Sequence, residues 1–174
     1  MERSERKSRI LQNLSSIPKR MLSLHGRENV TEFVLHDLSH ESCFNLGKSA
    51  FLVNNPDFNC LKGVAGISLP EIPQGLWTNI WEQSEMFSTY MRNSPFNRKV
   101  RNFGQCSLEG AGRPNPETIE NVAHNLGIER PSYHSFDMRH GNHGLLIFEK
   151  NTQHDDIQEH LLEGVSLLGF CPIF

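Results

Sequence analysis

The chain has 174 residues, enough for one domain with a sizeable core and short for two. Hydrophobic residues make up 37% and charged residues 21%, which excludes a disordered chain, and no apolar run approaches the ~20 residues of a membrane-spanning helix. The net charge of −3 is unevenly spread: residues 1–27 carry Arg3, Arg6, Lys7, Arg9, Lys19, Arg20 and Arg27 against Glu2 and Glu5, and the rest of the chain is acidic.

The first residues are polar and lack the apolar core of a secretory leader, and Glu2 and Glu5 speak against a transit peptide. A soluble, cytoplasmic protein is expected. Cys43, Cys60, Cys106 and Cys171 contain no C-x-x-C spacing, so neither a zinc ribbon nor a redox motif is expected. All four are expected as free thiols in a reducing compartment. A basic arm on an acidic body can bind nucleic acid, fold back or pair within a dimer. The body offers no matching basic face, so self-association through residues 1–25 is preferred to nucleic acid.

In chain order, Ile10, Leu14, Ile17, Met21 and Leu24 form a helical apolar stripe. Pro18 divides it into helices at about 3–16 and 18–25, ended by Gly26. A third helix spans about 30–41, capped by Asn29 or Thr31, with Val30, Val34 and Leu38 inward. Ala50–Asn54 and Gly63–Leu69 read as strands around a turn at Asn54–Asp57. A helix over Leu76–Arg92 places Trp77, Ile80, Trp81, Ser84 and Met91 on one face, widened by Phe87 and Tyr90. Residues 93–115 read as a loop with one short strand near Val100–Phe103. It carries Arg98, Lys99 and Arg101 beside Phe96 and Phe103, a cluster that is either solvated or able to grip phosphate. Helix 116–126 is the clearest: Asn115 caps it, Pro116 fits its first turn and Gly127 closes it. The last third reads as strand Tyr133–Met138, turn Arg139–Gly144, strand Leu145–Glu149, a helix at about 153–163 buried through Ile157, Leu161 and Leu162, and a strand-like Val165–Phe170. This order predicts an α+β fold, an antiparallel sheet packed against several helices, with a basic helical arm (1–26) ahead of a single domain (27–174).

The stretch Leu108–Ile128, with Glu, Gly and Pro ahead of a helix ending in Leu-Gly, resembles the closing part of a phage-repressor-type helix-turn-helix domain over about an eighth of the chain. Residues 88–107 lack the Ala and turn Gly of a recognition unit, and Pro95 would break a helix there, so DNA binding is not carried over. Arg139-His140-Gly141 is similar to the histidine-phosphatase signature, in which the His takes phosphate and the Arg binds it. That family continues into a long α/β domain, whereas little of this chain remains.

Candidate chemistry rests on histidines. His36 and His40 stand one helical turn apart and can share a divalent metal, with Asp37 and Glu41 near enough to orient it. His140 and His143 flank a hairpin turn, and His134 alternates onto the same side as Met138 and His140. Three imidazoles from these pairs would leave a coordination position open on Zn or Fe for water or oxygen, the chemistry of a small metal-dependent enzyme. Ordinary surface or core roles are the plain alternative for each of these histidines. Cys43 early and His143 at a later strand also resemble the arrangement of papain-like and transglutaminase-like hydrolases, which implies Asn151 or Asp155 as the group orienting the His. A buried small hydrophobe is the plain alternative for Cys43. A non-catalytic protein dimerising through its N-terminal helices is the remaining alternative. The sequence does not decide whether the chain is an enzyme.

Overall fold

The computed structural model describes residues 2–24, 29–77, 79–106, 114–151 and 158–172. Helix α1 (Glu2–Ser23) is one element, not two. Pro18 removes a helix hydrogen bond, but Ile10, Leu14, Ile17 and Leu24 on both sides of it bury in the same core. An interior proline costs about 3 kcal/mol. Each large apolar side chain withdrawn from water contributes about 1.5–3 kcal/mol, so burial prevails. The helix packs on α2 (Val30–Ser39) and α6 (Gln158–Ser166). The expected stop at Gly26 lies outside the described residues.

Five antiparallel strands form the sheet, in the order β3-β2-β1-β5-β4: β1 (Leu46–Asn55), β2 (Cys60–Ser68), β3 (Gly104–Cys106), β4 (Ser132–Asp137) and β5 (His143–Lys150). The α+β architecture with an antiparallel sheet is thus present. Alternation along the strands sends Phe51, Ile67, Leu146 and Phe148 to the core shared with α1, α2 and α6. Ala50, Leu52, Leu145 and Ile147 go to a second core with α4 (Pro95–Arg101) and α5 (Pro116–Leu126).

The register of β2 shifts between the Phe51↔Ala65 and Leu52↔Gly63 pairs. This bulge lets both Gly63 and Gly66 meet α4. A Cβ on Gly63 would lie 1.8 Å from the Val100 carbonyl oxygen, and one on Gly66 would lie 2.5 Å from a Val100 methyl. Only glycine admits the helix at this distance.

Several expected elements differ. The aromatic segment forms a helix only over Ser84–Asn93 (α3); Ile80 and Trp81 precede it in turns yet join Phe87 and Met91 in the core, against which Trp77 packs. Phe87 meets Phe33 edge-on at 4.6 Å between ring centroids, which holds α3 against α2. The expected loop contains α4. Pro95 starts this helix, since its missing N–H is not needed in a first turn, and Ser94 Oγ caps it by accepting from Asn97 N at 3.2 Å. The strand expected near Val100–Phe103 forms just after it, as β3. Val165–Phe170 is the end of α6 and a 3-10 turn, because Leu161, Val165 and Leu168 are buried at helical spacing. Leu162 is 52% exposed, and Ile157 lies outside the described residues. Helix α5 is as read from sequence: Asn115 Oδ1 accepts from Thr118 N at 2.8 Å and Gly127 adopts φ 75°.

The cysteines also differ from expectation. Cys60 and Cys106 are directly paired in the β2–β3 register and form a disulfide, leaving Cys43 and Cys171 as free, buried thiols. Strand pairing, not local spacing, brings together residues 46 positions apart. Among the described residues no helix is long and apolar enough to cross a membrane.

Candidate functional site

The histidine pairs occupy opposite ends of the sheet. His40 caps the C-terminal end of α2, next to Ser39, whose Oγ lies 2.6 Å from Ser49 Oγ near the start of β1. His143 pairs with Asn54 at the far end of the same strand. The five steps of strand from Ser49 to Asn54 span about 16 Å, far beyond a shared ion with ~2 Å bonds. His36 and His40 are brought together, with ring centroids 5.7 Å apart, but His140 and His143 are not brought to them.

His36 is buried rather than on a polar side. Its Nδ1 lies 3.5 Å from Asp37 Oδ1 without hydrogen-bond geometry. The Asp37 carboxylate is held by Arg20 Nη1 at 3.0 Å and Trp81 Nε1 at 2.8 Å. Burial, reinforced by His36, pushes the His40 imidazole below its ordinary value, and its Nδ1 lies 2.9 Å from Ser42 Oγ. Glu41 is exposed. Among the described residues no group of three or more His, Cys, Asp or Glu side chains is arranged to hold a metal ion.

Cys43 follows α2, so it too lies at the end of β1 opposite His143. Burial, with Asp37 nearby, pushes its thiol up to about 12, the reverse of what a nucleophile requires. Asn151 Nδ2 lies 3.4 Å from Asn45 Oδ1, away from His143, and Asp155 lies outside the described residues. His143 Nδ1 pairs with Asp137 Oδ1 at 3.0 Å across β4–β5. His140 is exposed in a turn at φ 61°, and His134 packs at 5.7 Å from the Phe148 ring. Burial pushes the His134 imidazole below its ordinary value, and Lys150 adds to this.

A different cluster forms where the edge of β2 meets α2 and α4. There a cavity of about 970 Å³ opens beside the N-terminal end of α2, with Asn29, Thr31 and Glu32 in its wall. Val53, Val64 and Phe103 make it partly apolar, and Lys62 and Arg101 give it positive charge. Glu32 is its unusual member, a carboxylate only 1% exposed in a helix otherwise packed with Val, Phe and Leu.

Asn97 explains half of that burial. Its Nδ2 donates to Glu32 Oε1 at 2.8 Å and to the Met91 carbonyl at 2.9 Å, while its Oδ1 accepts from Gly66 N at 2.9 Å. The amide thereby serves the stretch of β2 edge beyond the reach of β3. Arg101 Nη1 lies 3.6 Å from the same Oε1. Glu32 Oε2 is fully buried and has no hydrogen-bond partner among the described residues. Burial pushes this carboxyl above its ordinary value, against Asn97, Arg101 and Arg92, which pull it down.

Sequence reading missed Glu32, although one acid among Val30, Phe33, Val34 and Leu35 is a visible signal of a buried charge. It did single out Arg101, in the basic cluster suited to phosphate. No family model, no curated protein and no solved structure matches the chain.

Proposed function

We propose that this chain binds a small anionic molecule in the cavity at the β2 edge, through Glu32, Arg101 and Lys62. The observation that carries the reading is the unpartnered Oε2 of Glu32, a buried carboxylate oxygen of a residue in the cavity wall. An unsatisfied buried polar atom costs about 1–3 kcal/mol, which a ligand N–H or O–H would recover. A carboxylate, phosphate or sulfonate on the same ligand suits Arg101 and Lys62, and an apolar ring suits Val53, Val64 and Phe103.

Anilinonaphthalene sulfonate combines an N–H donor, a sulfonate and aromatic rings, so it is the probe for a fluorescence titration. Saturable binding of one molecule per chain is expected, weakened about tenfold by Arg101→Ala or Lys62→Ala, the loss of about 1.4 kcal/mol. Binding unaffected by both substitutions would place the probe elsewhere and end this reading.

Metal binding is the second proposal, favoured by the adjacent His36 and His40 rings and by His36 Nδ1, which has no hydrogen-bond partner among the described residues. Two imidazoles are fewer than the three or four protein ligands of a usual zinc site, so further donors would come from a second molecule. One-to-one uptake of Zn(II), lost in His36→Ala and in His40→Ala, supports it. A protein that takes up no Zn(II) refutes it.

A further inference from the structure

The wall of the cavity contains both halves of the Cys60–Cys106 disulfide. Strand β3 has three residues, all exposed, and lies at the edge of the sheet, where β2 is its ladder partner among the described residues. The ladder consists of the pairs Cys60↔Cys106, Leu61↔Gln105 and Lys62↔Gly104. A ladder this short and solvated is marginal by itself. It also anchors the segment behind it: Arg101, Asn102, Phe103 and Gly104, between the end of α4 and β3, form one side of the cavity.

We propose that the Cys60–Cys106 disulfide is a redox latch that keeps this side of the cavity in place for ligand, and that a dithiol reductant opens it. The inference rests on the ligand-binding reading above. In the exchange, one reductant thiolate attacks a disulfide sulfur and forms a mixed disulfide, and Cys60 or Cys106 leaves as a thiolate that takes up a proton. The second reductant thiol then displaces the remaining cysteine. Two electrons and two protons pass to the protein, which ends with two thiols, and the reductant ends as a disulfide.

Position makes the reaction selective. Cys106 is exposed and Cys60 is half-buried, so a thiolate can reach the bond. Cys43 and Cys171 are buried, so neither competes as an internal nucleophile at neutral pH. Among the described residues, opening the bond leaves β3 with its short ladder, while the Gly63 N–H to Phe103 carbonyl bond at 3.1 Å still ties the chain at the end of α4. The expected change is thus local to the cavity wall, with both cores intact.

The test compares the whole protein before and after dithiothreitol. Alkylation and intact mass should find the Cys60–Cys106 bond before reduction and two additional thiols after it. Reduction should speed amide hydrogen exchange at 104–106 and weaken anilinonaphthalene sulfonate binding about tenfold or more. The double variant Cys60→Ser/Cys106→Ser should bind like the reduced parent and ignore the reductant. Its far-UV circular dichroism and cooperative urea transition should persist. Equal probe affinity and equal exchange in the two redox forms would overturn the latch while leaving the ligand reading standing. Absence of probe binding in the oxidised protein would instead overturn the ligand reading, and the latch with it. Two reactive thiols at Cys60 and Cys106 before any reductant would also overturn it.

Discussion

At the scale of single residues, Glu32 ties the stability of the fold to the wall of the proposed ligand cavity. Its carboxyl is held above its ordinary value by burial, so the folded chain binds that proton more tightly than the unfolded chain does. Stability from this group is therefore complete below the unfolded value of 4.5 and declines as pH rises from there toward the folded value. Glu32→Gln keeps an acceptor for Asn97 and removes the charge. Its stability relative to the parent should improve between about pH 4 and about pH 7, read from urea midpoints. A constant difference across that range would mean that Glu32 is not held in this state. Glu32→Ala should destabilise by about 1–3 kcal/mol at either pH, because Asn97 loses a partner in a buried network. Cys43 gives a second residue-scale expectation. With its thiol pushed up to about 12, iodoacetamide at neutral pH should leave Cys43 unmodified in the folded chain and label it after unfolding in urea. Rapid labelling in the folded chain would revive the hydrolase reading.

At the scale of elements, α4 brings Arg101 to the cavity wall, and two glycines decide where α4 sits. Gly63→Ala brings a methyl into the Val100 carbonyl, a backbone atom that cannot rotate away. The helix must shift, at a cost of about 3 kcal/mol. Gly104→Ala meets nothing within 4 Å, and its urea midpoint should stay within about 0.5 kcal/mol of the parent. Similar midpoints for the two variants would show that α4 is not seated as described. The same helix shows how much of the local structure was legible. Ser94-Pro95 is a helix-start signal: a cap, then a proline where no donor is required. Reading Pro95 as a breaker hid α4. Asn115-Pro116 carries the same signal, and there an apolar stripe ending at Gly127 made the helix plain. Arg98, Lys99 and Arg101 were visible as a basic cluster, but its partner Glu32, far away in sequence, was not.

At the scale of the whole molecule, the basic N-terminal segment belongs to the body. Ile10 and Ile17 of α1 are 1% and 0% exposed, and Arg20 reaches across to Asp37. Deleting residues 1–24 would uncover the side of the core facing α1. Loss of the cooperative thermal transition is the expected outcome. A truncated chain that melts cooperatively at the parent temperature would show α1 to be dispensable. Exposed Leu11 and Leu22, at 41% and 75%, are the positions of α1 at which self-association can be probed without damaging that core. Leu22→Glu should lower the mass in solution if α1 mediates a dimer.

Residue order alone carried the strands β1, β2, β4 and β5, the capped helix α5 and the choice of an antiparallel sheet with helices, because alternation, capping and turn chemistry act over a few neighbouring residues. Tertiary structure decided everything that depends on distant pairs. Register set Cys60 against Cys106, and β1 held His40 and His143 at opposite ends. Burial carried α1 through Pro18, and the edge of β2 joined Glu32 to Asn97. Those contacts arise from how two cores pack around one sheet, and no local pattern of residues encodes the distance between its ends.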